Sequence, residues 1–275
     1  MNNLSKNDSY RFCALGALYN GEKVNYFDQC LKSLENQTEK IPIYIVFDGF
    51  IRKELKDILG KYEHLKIIPF QKRNKEGLAK ALQYGLEKLN KKYDYVIRFD
   101  SDDVNNKDRI QKLKKYCIDF KPDLVSSHMY EIDNDGKIFS RRKVPLSNKS
   151  IKKMIAYRNP INHPASAFKI NSVLAVGGYK EMPFFEDWYL WLRLNKKGNV
   201  ISNIDEFLVS FRATNDMVSR RYGFNYIKHE TYFFFIRSRE NLVNPLKNWF
   251  YFVIRTLIKC LGFKFYKKIF FWIRS

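Results

Sequence analysis

A formal charge of +21 on 275 residues points to an anionic partner, whether nucleic acid, an anionic membrane or a phosphorylated ligand, or else to a solvated basic surface. With 45 % hydrophobic and 16 % aromatic residues, the chain is too apolar for disorder and long enough for one large core. Cys13, Cys30, Cys117 and Cys260 are far apart and form no C-x-x-C pair, which argues against a disulfide frame or a zinc site.

The chain opens on MNNLSKNDSY, which is polar, and the apolar run behind it is too short for a signal peptide. RFCALGALY then reads as a strand. EKVNYFDQCLKSLENQ reads as a helix with Val24, Phe27, Cys30, Leu31 and Leu34 on one face. PIYIVF, LKIIPF, YDYVIRF and DLVSSHMY read as further strands, alternating with helices at IRKELKDILGKY, EGLAKALQYGLEKL and KDRIQKLKKYCIDF. That alternation predicts an α/β fold: a Rossmann-like, mostly parallel central sheet flanked by helices. Ligands of such sheets bind beyond the carboxyl ends of the strands. Asp48 and Asp100 each end a predicted strand, so both are site candidates.

From about residue 129 the pattern loosens. MYEIDNDGKIFSRR reads as a hairpin with Asn134, Asp135 and Gly136 in its turn. A short helix over 148–157, the irregular RNPINHPASAF, a helix beginning near Glu186 and the strand EFLVSFR follow. The last third is helical and aromatic-rich. No stretch reaches the roughly 20 apolar residues of a spanning helix, so a soluble or peripheral protein is expected.

YVIRFDSDD ends an apolar strand in Asp100, Asp102 and Asp103. Like charges so close raise one another's pKa unless a cation sits on them. Carboxylate oxygens suit Mg2+ or Mn2+, which complete their shell with substrate phosphates. The competing use is helix capping near Lys107, which accounts for one aspartate and not three. A second pair, Glu186 and Asp187, starts a helix, where it either complements the dipole or handles a proton. Trp188 and Trp191 behind it read as core.

Residues 247–275 hold seven basic residues and no acid. Arg255 and Lys259 share one helical face; Trp249, Phe252, Val253, Leu257 and Leu261 lie elsewhere. Lys264, Lys267 and Lys268 oppose Phe265, Ile269, Phe270, Trp272 and Ile273. This is the make-up of an interfacial amphipathic helix facing anionic lipid; packing on the body is the alternative.

Six pieces in order, ALYNGEKVNYFDQCLKSLENQT, Asp48, RNKEGLAKALQYGL, RFDSDD, INHPASAFK with GGYKE, and FEDWYLWLRL, resemble the family 2 glycosyltransferases of GT-A fold, particularly the bacterial enzymes of O-antigen and capsule synthesis. The resemblance runs from about Phe12 to Arg221. It implies a nucleotide-sugar half over 1–128, an acceptor and catalytic half over 129–221, and a helical membrane-association segment over 222–275. It further implies that Tyr19 stacks on the base, Asp48 accepts from the base edge and Arg73 touches base or phosphate. Asp100 would hold ribose or metal, and Asp102 the Mn2+ or Mg2+ bridging the donor diphosphate. Asp187 would be the base, Glu186 an orienting or acceptor contact, His163 an acceptor contact, and Arg212, Arg220 and Arg221 phosphate ligands. The implied reaction is metal-dependent inverting transfer of one sugar, with a UDP-sugar favoured, to a lipid-diphosphate-linked glycan at the inner face of the cytoplasmic membrane, without nucleic acid.

Two departures bear on this. The second strand ends Phe47-Asp48-Gly49-Phe50, where the family usually has two acids and Gly-Ser, and the Q-x-x-R-W signature of processive enzymes is absent. A non-catalytic basic protein binding membrane or nucleic acid on the same fold is the alternative. It explains the charge but not acids at strand ends.

Overall fold

The computed structural model describes residues 10–274, so most of the polar N-terminus read above lies outside the described residues. The first half follows the expected alternation: β1 (Phe12–Leu18), α1 (Val24–Glu35), β2 (Ile43–Phe47), α2 (Lys53–Lys61), a 3-10 turn (Glu63–Leu65), β3 (Ile68–Gln71), α3 (Leu78–Leu89) and β4 (Tyr95–Arg98). A two-residue strand β5 (Val104–Asn105) precedes α4 (Arg109–Phe120). Then come β6 (Leu124–Ile132), β7 (Ile138–Arg142), α5 (Asn148–Met154), a 3-10 turn (His163–Ala165), β8 (Ala167–Lys169), α6 (Ile170–Ala175), α7 (Glu186–Lys196) and β9 (Ile201–Arg212). The chain closes with α8 (Asn215–Ser219), α9 (Phe224–Arg239), α10 (Pro245–Cys260) and α11 (Phe263–Arg274).

One nine-stranded sheet runs β3-β2-β1-β4-β8-β6-β9-β5, with β7 paired to β6. The first four strands are parallel. β8 is antiparallel to both β4 and β6, and β9 returns parallel to β6. β1 and β2 are apolar because both faces are covered. Phe27, Cys30, Leu31 and Leu34 of α1 pack with Ile45 and Leu55 on one side, while Leu82 and Leu86 of α3 pack with Leu15 and Trp191 on the other. The register sets Leu18 beside Phe47 and Leu15 beside Arg98, so Tyr19, Asp48 and Asp100 leave the sheet at one edge.

The hairpin forms at the expected turn. Gly136 sits at φ +85° and Asp133 Oδ1 accepts from the amides of Asp135 and Lys137. Gly belongs there because a side chain is strained at that φ.

The tail forms helices, but α10 faces opposite to expectation. Arg255 and Lys259, read as reaching toward lipid, turn inward and pair with the buried Glu230 of α9, Lys259 Nζ at 2.6 Å. Asn248 is buried on the same side, bonded to Ser238 Oγ at 2.7 Å. A buried carboxylate is costly unless paired, and α10 supplies the partners. The outward face is apolar: Leu246 is 82 % exposed, Trp249 60 % and Leu257 61 %. In α11, Tyr266 is buried and Phe271 meets Phe139 of β7 edge-on at 5.6 Å, while Phe265 and Trp272 stay exposed. No helix among the described residues is long and apolar enough to cross a membrane.

Candidate active site

A cleft of about 710 Å3 lies over the carboxyl ends of β1, β2 and β4 and continues past α7 to the C-terminal helices. At the end of β1 the Tyr19 ring lies beside Gly21, where a Cβ would stand 2.4 Å from it. Lys75 Nζ sits 5.0 Å above the Tyr19 ring. Asp48 lines the cleft, and both of its oxygens accept backbone protons, from Glu76 at 2.9 Å and Gly77 at 2.8 Å. It therefore fixes the loop before α3. Gly49, at φ +86°, allows that loop to approach, since a Cβ would lie 2.8 Å from the Lys75 nitrogen. Arg73 is exposed and outside the cleft lining; Lys75, two residues on, is the cation that lines it.

The three aspartates gather around an internal cation the sequence reading missed. Arg98 is buried and ion-paired to Asp100. Behind it, buried Arg109 donates to the carbonyls of Arg98 and Pro164 and to Asn105. Burial first, then Arg98, pushes the Arg109 guanidinium down to about 9. Asp103 Oδ1 accepts from the Arg212 amide at 2.9 Å, while its Oδ2 is buried with no hydrogen-bond partner. Glu22, also missed, accepts from Ser101 Oγ at 2.7 Å and from the Lys23 amide at 2.8 Å. Its only sequence signal is its place just after the end of β1. Burial, then Asp100 and Glu22, pushes Asp102 up to about 7. Burial, then Asp102 and Asp100, holds Asp103 well above the usual carboxylate range.

Helix capping is not the explanation: the residue before α4 is Asp108, whose side chain makes no cap bond, and the Ile110 amide donates instead to Gln37 Oε1 at 3.1 Å. Arg98 and Arg109 do not fully offset these acids, as the raised Asp102 and Asp103 show. Oxygen ligands from Asp100, Asp102 and Asp103 lie within 4.8 Å of one another, and one buried oxygen lacks a donor. Hard, convergent oxygens of this kind fit Mg2+ or Mn2+.

Arg212, expected to read phosphate, is buried and used internally. Its Nε donates to the Asp102 carbonyl at 3.1 Å, Nη1 to the carbonyls of Asp133 (2.8 Å) and Asn134 (3.0 Å), and Nη2 to Gln29 Oε1 at 2.6 Å. Arg220 and Arg221 line the cleft, and Arg221 Nη1 donates to the Met217 carbonyl at 3.1 Å.

Across the cleft, the first turn of α7 presents Glu186 and Asp187. Asp187 Oδ2 accepts from Asn159 Nδ2 at 2.7 Å and Oδ1 from the Trp188 amide at 2.6 Å. Burial raises Asp187, with those two bonds, Arg142 and Arg221 opposing. Burial, then the charge of Asp187, pushes Glu186 up to about 7. Both adjacent carboxyls are thus raised toward neutrality, which suits a base operating at that pH. His163 lines the cleft from a buried place, its Nε2 2.7 Å from the Tyr179 hydroxyl. Burial holds it far below the usual histidine range, so it is a neutral imidazole. Trp188 and Trp191 are buried, and Trp188 Nε1 donates to the Ile155 carbonyl at 2.8 Å.

With this geometry in hand, the chain can be set beside known proteins. A model of the family described as glycosyl transferase family 2 matches residues 17–176. The chain is 34 % identical over 259 residues to the amylovoran biosynthesis glycosyltransferase AmsE of Erwinia amylovora, covering 92 % of this chain and 95 % of that one. It is 31 % identical over 273 residues to the UDP-Gal:alpha-D-GlcNAc-diphosphoundecaprenol beta-1,3-galactosyltransferase of Escherichia coli, covering 95 % and 97 %. Its fold is similar to that of S. aureus TarS 1–349 in complex with UDP-GlcNAc, at a TM-score of 0.62 and 19 % identity. That match takes in 80 % of this chain and 64 % of the TarS fragment, so the chain spans less than two thirds of it.

Proposed function

The chain belongs to glycosyl transferase family 2 and is a glycosyltransferase of polysaccharide biosynthesis; from that premise we propose that it moves one sugar, with inversion, from a UDP-sugar to a lipid-diphosphate-linked glycan. The carrying observation is a single cleft with aspartates converging at one end and, across from them, the raised carboxyls of Glu186 and Asp187.

Tyr19 offers its face to the base, with Lys75 above it. Asp48 holds the loop that carries Lys75 and lines the base pocket. Asp100 and Asp102 would hold Mn2+ or Mg2+, and the ion when bound neutralises the departing diphosphate as a Lewis acid. Arg220 contributes charge at the same end. Asp187, oriented by Asn159 and the Trp188 amide, takes the acceptor hydroxyl proton as that oxygen attacks the anomeric carbon. Glu186 beside it orients or contacts the acceptor, and His163, neutral and buried, is an acceptor contact in the cleft lining.

Titration calorimetry with UDP, GDP, dTDP and CMP, with and without Mn2+, tests the reading. UDP should bind in a Mn2+-dependent manner, and Asp102→Ala should weaken it about 100-fold, as loss of a charge-assisted metal contact would. A folded protein that binds none of the four would end the catalytic reading.

The localisation we propose is the cytoplasmic face of an anionic membrane, with the apolar outer face of α10 against lipid and Lys264 and Lys268 toward headgroups. Co-sedimentation with phosphatidylglycerol vesicles, lost in Trp249→Glu, is the check; equal pelleting of both proteins would refute it.

A further inference from the structure

The cleft does not stop at the carboxyl pair. Its far wall is made by α10 and α11, with Arg255, Ile258 and Lys259 from the first and Ile269 and Phe270 from the second. The Arg255 guanidinium lies 5.2 Å from the ring of Trp188, the neighbour of Asp187. Its Nη1 approaches the Tyr157 carbonyl at 3.5 Å, and the next residue in the chain, Arg158, lines the cleft. Arg255 and Lys259 share one carboxylate, Glu230, whose side chain is 3 % exposed.

Two cations of α10 thus stand on the single carboxylate of Glu230. Burial, then Arg255, already presses the Lys259 ammonium down to about 8. A surplus of buried cations is costly unless an anion completes it. Guanidinium forks match phosphate oxygens, and lysine adds a compact charge. Beside the cations, Ile258, Ile269 and Phe270 form an apolar strip. Leu257 of α10, next to Ile258 in the chain, and Leu261, just past the end of α10, are exposed.

We propose that Arg158, Arg255 and Lys259 form a subsite for the diphosphate of the acceptor, and that the acceptor's apolar chain leaves along Ile258, Ile269 and Phe270. The proposal rests on the transfer reading above, and it gives the C-terminal helices a substrate-binding task beside their contact with a surface. A diphosphate held there stands next to Trp188, so the sugar it carries reaches Asp187 without crossing the donor end.

The test is calorimetry of the full chain in metal-free buffer with farnesyl diphosphate, inorganic pyrophosphate and farnesol. Farnesyl diphosphate should bind at least tenfold tighter than either fragment, and Arg158→Gln and Lys259→Gln should each weaken it at least tenfold. Because Lys259 is buried, Mn2+-dependent UDP affinity serves as the fold check for both variants, and half-buried Arg158 supplies the less disruptive change. Equal binding of farnesol would overturn the diphosphate assignment, and equal binding of pyrophosphate would overturn the apolar strip. Variants that bind farnesyl diphosphate like the unmodified chain would overturn the residue assignment. The two readings fail separately: UDP binding without farnesyl diphosphate binding sinks the subsite alone, whereas farnesyl diphosphate binding without UDP binding sinks the transferase reading.

Discussion

The two ends of the cleft are electrostatic mirror images. At one, Asp100, Asp102 and Asp103 crowd around Arg98; at the other, Arg255 and Lys259 crowd around Glu230. Each cluster is held by one internal counter-ion and left short of balance. Asp102 is pushed up to about 7 and Lys259 down to about 8. A raised carboxyl withdraws stability as pH climbs from its ordinary range toward 7. A lowered ammonium withdraws it as pH falls from its ordinary range toward 8. Around neutrality both ends therefore weaken the unliganded fold, and a ligand of opposite charge at either end relieves it. Binding sites of this kind are recognisable by incomplete charge compensation, whichever sign is in excess.

The largest break in the comparison should come between the two clusters, at the base. Asp187→Asn should lower kcat about 1000-fold, roughly 4 kcal/mol, with UDP affinity unchanged. Steady-state kinetics beside calorimetry checks this, and a parallel loss of nucleotide affinity would make Asp187 a donor contact instead. In the unmodified chain the rate should fall as pH drops below neutrality, because Glu186, pushed up to about 7, and the raised Asp187 then take up protons. A rate flat down to pH 5 would contradict the raised carboxyls.

Removing each internal counter-charge relation sharpens the mirror. Glu230→Gln leaves Arg255 and Lys259 buried without a carboxylate, which should cost about 3 kcal/mol and lower Tm by roughly 10 °C. Calorimetric melting at pH 7 is the measurement, and no change would mean that solvent already screens the cluster. The opposite sign is expected at the acidic end. Asp102→Asn removes a repelled charge, so the metal-free protein at pH 8 should gain about 2 kcal/mol and melt some 5 °C higher. Mn2+ should raise the Tm of the unmodified chain and leave the variant unmoved. A variant that melts lower without metal would show that Arg98 already satisfies the aspartates.

The parallel half of the fold was legible because its strands and helices are long enough to show period 2 and period 3.6 against clear breaks. β5 and β8, with two and three residues, carry no period at all. The acids at strand ends could be read, since a charge after an apolar run stands out. Arg98 could not, because one cation inside YVIRF looks like a solvent-facing residue until Asp100 and the 1 % exposure of its side chain are seen. The same limit explains α10. Its spacing groups Arg255 with Lys259 and sets Trp249 apart, but spacing cannot say which face turns inward. That was decided by Glu230, on another helix. Arg73 and Lys75 illustrate the finest grain: two residues apart in a loop, only one lines the cleft, and the grip of Asp48 on the following amides fixes which.

Arg212 leaves a mark of another kind, on which substitutions the chain tolerates. Its guanidinium reaches four oxygens from three separate segments, the aspartate loop, the hairpin turn and α1, and its Cζ lies 3.9 Å from the centroid of the Tyr26 ring. A lysine is a point donor on a flexible stem and cannot span those directions or lie flat on the ring. It would leave acceptors buried with no donor and free three segments to drift apart. Position 212 thus has a vocabulary of one word, arginine, set by the acceptors that surround it.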